Sequence, residues 1–327
     1  MTWAEWKAMK KLLRRKLGVP GWTLLIYYLI LNVAVFLWIL GETLFRMGPL
    51  LLTGDFAAME QAVLAASESG WGYFLGAAVG FLILLLWKKP RYLKKEIFAK
   101  GAPMRPGSFL EILCVFLGCQ FLSQISLALM EVILNQFDLT IIEGLEALSV
   151  DPGNFSMFLY AGILAPITEE ILFRGLVQRS MMPYGRNFAI FVSSLTFGLF
   201  HGNLVQAPFA FLVGLVLGYV AAEYSVLWAM VLHMINNMLV ADSLNRLTAS
   251  LPEEVAGMIL WGFLFLCAVA GCVILFRNRN AIRNWMNQQR IHRTYLGCYF
   301  TSFGNILFIL LMVLMMVGTL FALITPL

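Results

Sequence analysis

Charge is what this sequence has least of. Only 13% of its 327 residues are Asp, Glu, Lys or Arg, and 61% are hydrophobic. A soluble domain carries roughly 25% charged and about 45–50% apolar residues. Such a chain has too little polar surface to cover a water-exposed globule. Histidine is scarce as well, with three in all. The five cysteines, Cys114, Cys119, Cys267, Cys272 and Cys298, sit in or beside apolar runs without C-x-x-C spacing. They read as small buried hydrophobes and leave the redox compartment undefined. No Pro/Gly/Ser-rich linker divides the chain, and no internal repeat is apparent. The net charge of +5 is not gathered on one soluble basic face, so a nucleic-acid partner is not expected.

What is present is a series of apolar runs, several longer than the roughly 18 residues that span a bilayer. The fold class is therefore an all-α, polytopic transmembrane helical bundle of about nine spans. They are expected near 21–41, 71–87, 109–134, 156–180, 188–204, 207–223, 225–242, 257–276 and 303–325. The last three spans before residue 243 are joined by very short links, which makes them antiparallel neighbours. The distribution of basic residues fits this layout. With the N-terminus inside, 21 of the 23 Lys and Arg fall in inner segments, and only Arg46 and Arg246 lie outside. Acids such as Asp138, Glu143, Glu146, Asp151, Glu253 and Glu254 occupy the outer loops. This is the positive-inside pattern with a cytoplasmic N-terminus, and it suits a bacterial plasma membrane, with an internal eukaryotic membrane the alternative. No cleavable signal peptide is evident; the first apolar run reads as a signal anchor.

Four regions follow: a basic interfacial helix at 1–20, N-terminal spans and loops at 21–155, a four-span core at 156–242, and C-terminal spans at 257–327. The first of these places Trp3, Trp6, Leu13 and Leu17 on one face, as in a helix lying on anionic lipid. Ser108 and Glu111 form a capping-box pattern for the third span. Residues 55–68 read as an amphipathic outer helix with Phe56, Met59, Val63 and Leu64 on one side.

Chemistry is expected where polarity is most costly. An ionisable group at mid-bilayer costs roughly 2.5–3.5 kcal/mol, yet Glu169, Glu170 and Arg174 lie within two turns of one apolar run. His201 and His233 fall in two others. Glu170 and Arg174, four apart, share a helix face and can pair; Glu169 points about 100° away. Pro166 removes a backbone donor just before them. Phe197 and His201 are four apart, as are His233 and Asn237, with Asn236 the alternative working amide. A structural ion pair would also explain Glu170 and Arg174. Burial as a neutral acid would explain Glu169. Glu111, Glu131 and Glu223, at span ends, read as capping or snorkelling groups.

Taken in order, Glu169-Glu170-x-x-x-Arg174, Phe197-x-x-x-His201 and His233-x-x-x-Asn237 resemble the three-motif signature of the CAAX protease and bacteriocin-processing family of intramembrane peptidases. The resemblance covers roughly residues 160–240. It implies an endopeptidase in which Glu169 activates water with help from His201. His233 and Asn237 would stabilise the oxyanion, and Glu170 and Arg174 would fix the geometry. The implied partner is a peptide or protein, prenylated or bacteriocin-like in known members. Metal is the open point. No cofactor is favoured, but Glu169, His201 and His233 also suit three zinc ligands, with Glu170 then the base. Two other readings compete: a proton- or ion-coupled transporter, and a non-catalytic protein that gives immunity by binding a peptide.

Overall fold

Helix lengths decide which apolar runs can cross a membrane. In the computed structural model, residues 2–51, 54–87, 97, 99–147, 154–238 and 250–327 are described. All nine apolar runs are helical over most of their described residues, with non-helical backbone at 201–204, 225 and 324–325. The elements are α1 (Trp3–Leu17), α2 (Val19–Leu50), α3 (Phe56–Ser67), α4 (Trp71–Trp87) and α5 (Pro106–Asn135), then β1 (Leu139–Thr140) and α6 (Ile142–Ala147). There follow α7 (Phe155–Tyr184), α8 (Arg186–Phe200), α9 (Ala207–Glu223) and α10 (Val226–Met238). The chain ends with α11 (Glu253–Arg277), α12 (Arg279–Asn287), α13 (Arg293–Phe300), α14 (Phe303–Leu323) and β2 (Thr325–Pro326).

Five helices are long and apolar enough to span: α1 continued by α2, then α5, α7, α11 and α14. By contrast α8 and α9 have 15 and 17 residues, about 22–26 Å at 1.5 Å per residue. That is short of a hydrocarbon core of about 30 Å, so nine full crossings are not required by the helices. The protein is an all-α integral membrane bundle. Its lipid-facing character shows in large apolar side chains that remain exposed, among them Phe45 at 83%, Phe321 at 76% and Phe276 at 68%.

Packing places the short helices inside. α8 and α9 pack on each other, α9 and α10 adjoin, and α7 touches α8, α9 and α10. α5 pairs with α11 on one flank; α2 pairs with α4 and α14 on the other. The α2–α14 crossing is close because neither helix has a side chain there. A Cβ on Gly21 would meet the Gly304 backbone at 2.4 Å. Asn305 seals the contact, accepting from Gly21 N at 2.9 Å and donating to Leu17 O at 3.0 Å. β1 and β2 form a two-residue antiparallel pair that ties the C-terminus to the loop after α5.

Several local expectations change. Helix α5 starts at Pro106, with Arg105 as N-cap and no side-chain cap bond. Proline's fixed φ suits the first helical position, so the helix begins before Ser108 could cap it. Glu111 instead bonds Arg277 of α11. In α3, Asp55 caps the helix by accepting from Ala58 N, but Met59, Ala62 and Ala66 form its buried face, while Phe56 is 81% exposed. Glu131 accepts from Thr140 and Ile141 N, and Glu223 pairs with Arg186 at 3.3 Å. None of the five cysteines is in a disulfide. The basic run from Lys88 to Lys95, Asp151, Arg246 and the end of the seventh run at 239–242 lie outside the described residues.

Candidate active site

The site begins with a helix that is not α-helical throughout. Within α7, Tyr160–Leu164 and Ile171–Gln178 are π-helical, with α-helix at Ala165–Glu170 between them. Such turns cluster at functional sites. Here the first has a covalent cause. Ala165 N donates to Tyr160 O, five residues back. In that register the carbonyl of Ala161 would need a donor from residue 166, which is a proline without N–H. Asn237 supplies it: its Nδ2 donates to Ala161 O at 2.8 Å. The opened helix turn is thereby fastened to α10.

Just after this join come the acids. Glu170 and Arg174 are both fully buried and paired, Nη1 to Oε1 at 3.0 Å. Arg174 reaches further, with Nη2 donating to Gly214 O of α9 at 3.2 Å. Its guanidinium lies 4.3 Å from the centre of the Phe197 ring. Glu170 Oε2 and Arg174 Nε have no hydrogen-bond partner among the described residues. A buried pair with unmatched polar atoms is a poor investment for stability alone. It makes better sense as a fixed charge for the group beside it.

That group is His233. Its Nδ1 sits 3.0 Å from the same Glu170 Oε1. The Glu170 carboxylate, paired with Arg174, accepts, so Nδ1 carries the proton. The other ring nitrogen, Nε2, faces Glu169 Oε2 at 3.8 Å. One water can hydrogen-bond both atoms across such a gap. Glu169 is 22% exposed and is within electrostatic reach of Tyr27, Tyr160 and His201. His201 follows the last residue of α8, with Nδ1 2.8 Å from Phe197 O. A carbonyl also only accepts, so neutral His201 presents a bare Nε2 lone pair. Both imidazoles stand edge-on to the Phe197 ring, at 89° and 90°. Phe197 is thus the hub that both histidines and the guanidinium share.

The structure therefore sets Arg174, His201 and His233 around the Phe197 ring, with Glu169 and Glu170 beside His233 and Asn237 joined through Ala161 O and Asn236. Asn236 is buried and occupied, accepting from Gln120 Nε2 at 2.8 Å and donating to Asn237 Oδ1 at 3.2 Å. Gln120, on α5, is a member that the sequence did not reveal. A lone amide in an apolar span carries no periodic signal, and its partner lies 116 positions away. Tyr27 and Tyr160 were missed for the same reason. As to zinc, Glu169 and His233 are the nearest of the three expected ligands. Among the described residues no three His, Cys, Asp or Glu side chains are grouped closely enough to hold a metal ion.

Residues 151–239 match the family described as type II CAAX prenyl endopeptidase, Rce1-like. The matched domain is about a quarter of the chain and contains all six motif residues; Gln120 and Tyr27 lie outside it. No curated protein and no solved structure matches significantly.

Proposed function

We propose that the Rce1-like domain hydrolyses a peptide bond inside the membrane by a metal-free, carboxylate-driven attack of water. One observation carries this reading: His233 is held between two carboxylates, 3.0 Å from Glu170 and 3.8 Å from Glu169. Glu169 takes a proton from a water placed between its Oε2 and His233 Nε2, and that water attacks the scissile carbonyl. With Nδ1 anchored on Glu170 Oε1, His233 turns Nε2 to the developing oxyanion and, carrying a proton there, donates to it. Asn237 spends one amide hydrogen on Ala161 O and keeps the second for the same oxygen. His201, with its free Nε2, relays the proton to the leaving amine. The buried, low-dielectric setting strengthens each of these contacts.

The substrate in this reading is a peptide ending in a prenylated CAAX motif, which the matched family's description supports, with bacteriocin-like peptides as the second class. The basic side of the bundle is the cytoplasmic side in this reading, as in a bacterial plasma membrane. The purified full chain, incubated with prenylated CAAX peptides, their unprenylated forms and unrelated peptides, is expected to cleave the first group within the terminal motif. Mass spectrometry of the products reads the outcome. Intact peptides in every group would overturn the proposal, and proton flux in reconstituted vesicles would favour a transporter.

The amide chain from Gln120 gives a second expectation. Gln120→Leu leaves Asn236 Oδ1 buried without its donor and loosens Asn237. Turnover should fall about tenfold, about 1.4 kcal/mol of barrier, with KM within about twofold. Steady-state kinetics of the variant that match the native chain would remove Gln120 from the site.

A further inference from the structure

Away from the six motif residues, the helices enclose a second space. A cavity of about 1000 Å³ is walled by α5, α8, α9 and α11 and roofed by α12. None of the motif residues lines it. This is the upper end of the range for small-molecule sites. Its interior is apolar, with Val115, Phe191, Phe211, Leu215 and Ile274 among its walls.

The roof is fastened in place. Arg186 Nη2 donates to Trp285 O at 2.7 Å, and its guanidinium lies 3.7 Å from the Trp285 ring. Trp285 Nε1 donates to Glu223 at 2.8 Å, and Asn187 Nδ2 donates to Met286 O at 2.6 Å. Helix α12 therefore lies across the ends of α8 and α9 as an amphipathic strap. Apolar Ile282 and Trp285 face inward, while Arg279 and Arg283 are exposed.

Two features of the mouth identify its occupant. First, Tyr219, Tyr224 and Trp285 line it, the aromatic residues that mark the membrane–water boundary. Second, its charge is unbalanced. Glu111 is neutralised by Arg277 and Glu223 by Arg186. Arg290, which lines the cavity, has no ion pair among the described residues. Basic pockets between membrane helices take anionic headgroups.

We propose that this cavity is a binding site for an anionic phospholipid of the leaflet at the basic end of the bundle. An acyl chain fills the space between α5, α9 and α11, and the headgroup phosphate rests at Arg290. The site lies beyond the peptidase reading and does not depend on it. It does share a helix with it. α9 turns Phe211, Leu215 and Tyr219 to the cavity, and the carbonyls of Gly214 and Gly218 to Arg174 and Gln178. A lipid seated here buttresses the helix that holds Arg174.

Brominated acyl chains quench tryptophan on contact. The full chain is reconstituted in zwitterionic vesicles containing a small fraction of brominated lipid, either phosphatidylglycerol or phosphatidylcholine. The Trp285 contribution is obtained by subtracting the signal of Trp285→Phe. Brominated phosphatidylglycerol is expected to quench it several-fold more than the phosphatidylcholine. Arg290→Gln, at an exposed position, should cut that preference about fivefold, matching about 1 kcal/mol per basic group near a lipid surface. Ala281→Phe, which fills the mouth, should abolish quenching by both lipids, with helix content checked by circular dichroism. Equal quenching by the two lipids, or a preference untouched by Arg290→Gln, overturns the proposal. No arm of the experiment reads peptide cleavage.

Discussion

Glu169→Gln is expected to lower the rate of peptide cleavage by about 10²–10⁴-fold, the usual contribution of a positioned general base. The amide keeps the shape of the side chain but cannot take a proton from water. Folding should hardly change. Glu169 is 22% exposed and its nearest ionic neighbour, His233 Nε2, is 3.8 Å away. The variant should therefore purify and unfold like the native chain, which separates loss of chemistry from loss of structure. Cleavage within about tenfold of native would show that Glu169 is not the base.

Arg174→Leu should act in the opposite order, on stability first. Removing one partner of a buried ion pair costs roughly 3–5 kcal/mol, because the other charge is left uncompensated. Here Glu170 would lose its cation while fully buried, and Gly214 O would lose its donor. His233, anchored on Glu170, would lose its orientation. A large drop in unfolding midpoint in detergent, together with lost cleavage, is expected. Arg174→Lys should recover only part of either. An ammonium retains the charge, but it cannot fork between Glu170 and Gly214 while stacking on Phe197. An unfolding midpoint of Arg174→Leu equal to that of the native chain would refute this role.

These two residues also mark how far the sequence could be read. The Glu170–Arg174 pair was legible because four positions of helix bring two side chains together. The contact of Glu170 with His233 was not, since it joins helices 63 residues apart. Pro166 announced a disturbed helix. That the disturbance would be a π turn, and that Asn237 would fasten it, depends on α10 lying alongside. The positions of the helices were legible from long apolar runs. Their status as spans was not, because α8 and α9 are of a length that suits either a crossing or a buried core helix. The Ser108–Glu111 pattern failed for a local reason: Pro106 started α5 earlier. The apolar face of α3 was misassigned because, on a helix beside lipid, large side chains face outward and alanines pack inward.

The most direct measurement of the central claim is cleavage by the purified chain after exhaustive treatment with a metal chelator, with bound metal measured on the same sample. If a carboxylate and two oriented imidazoles activate the water, the metal-stripped chain should retain its full rate, and added zinc should not raise it. Activity lost with the metal and restored by zinc would contradict the account.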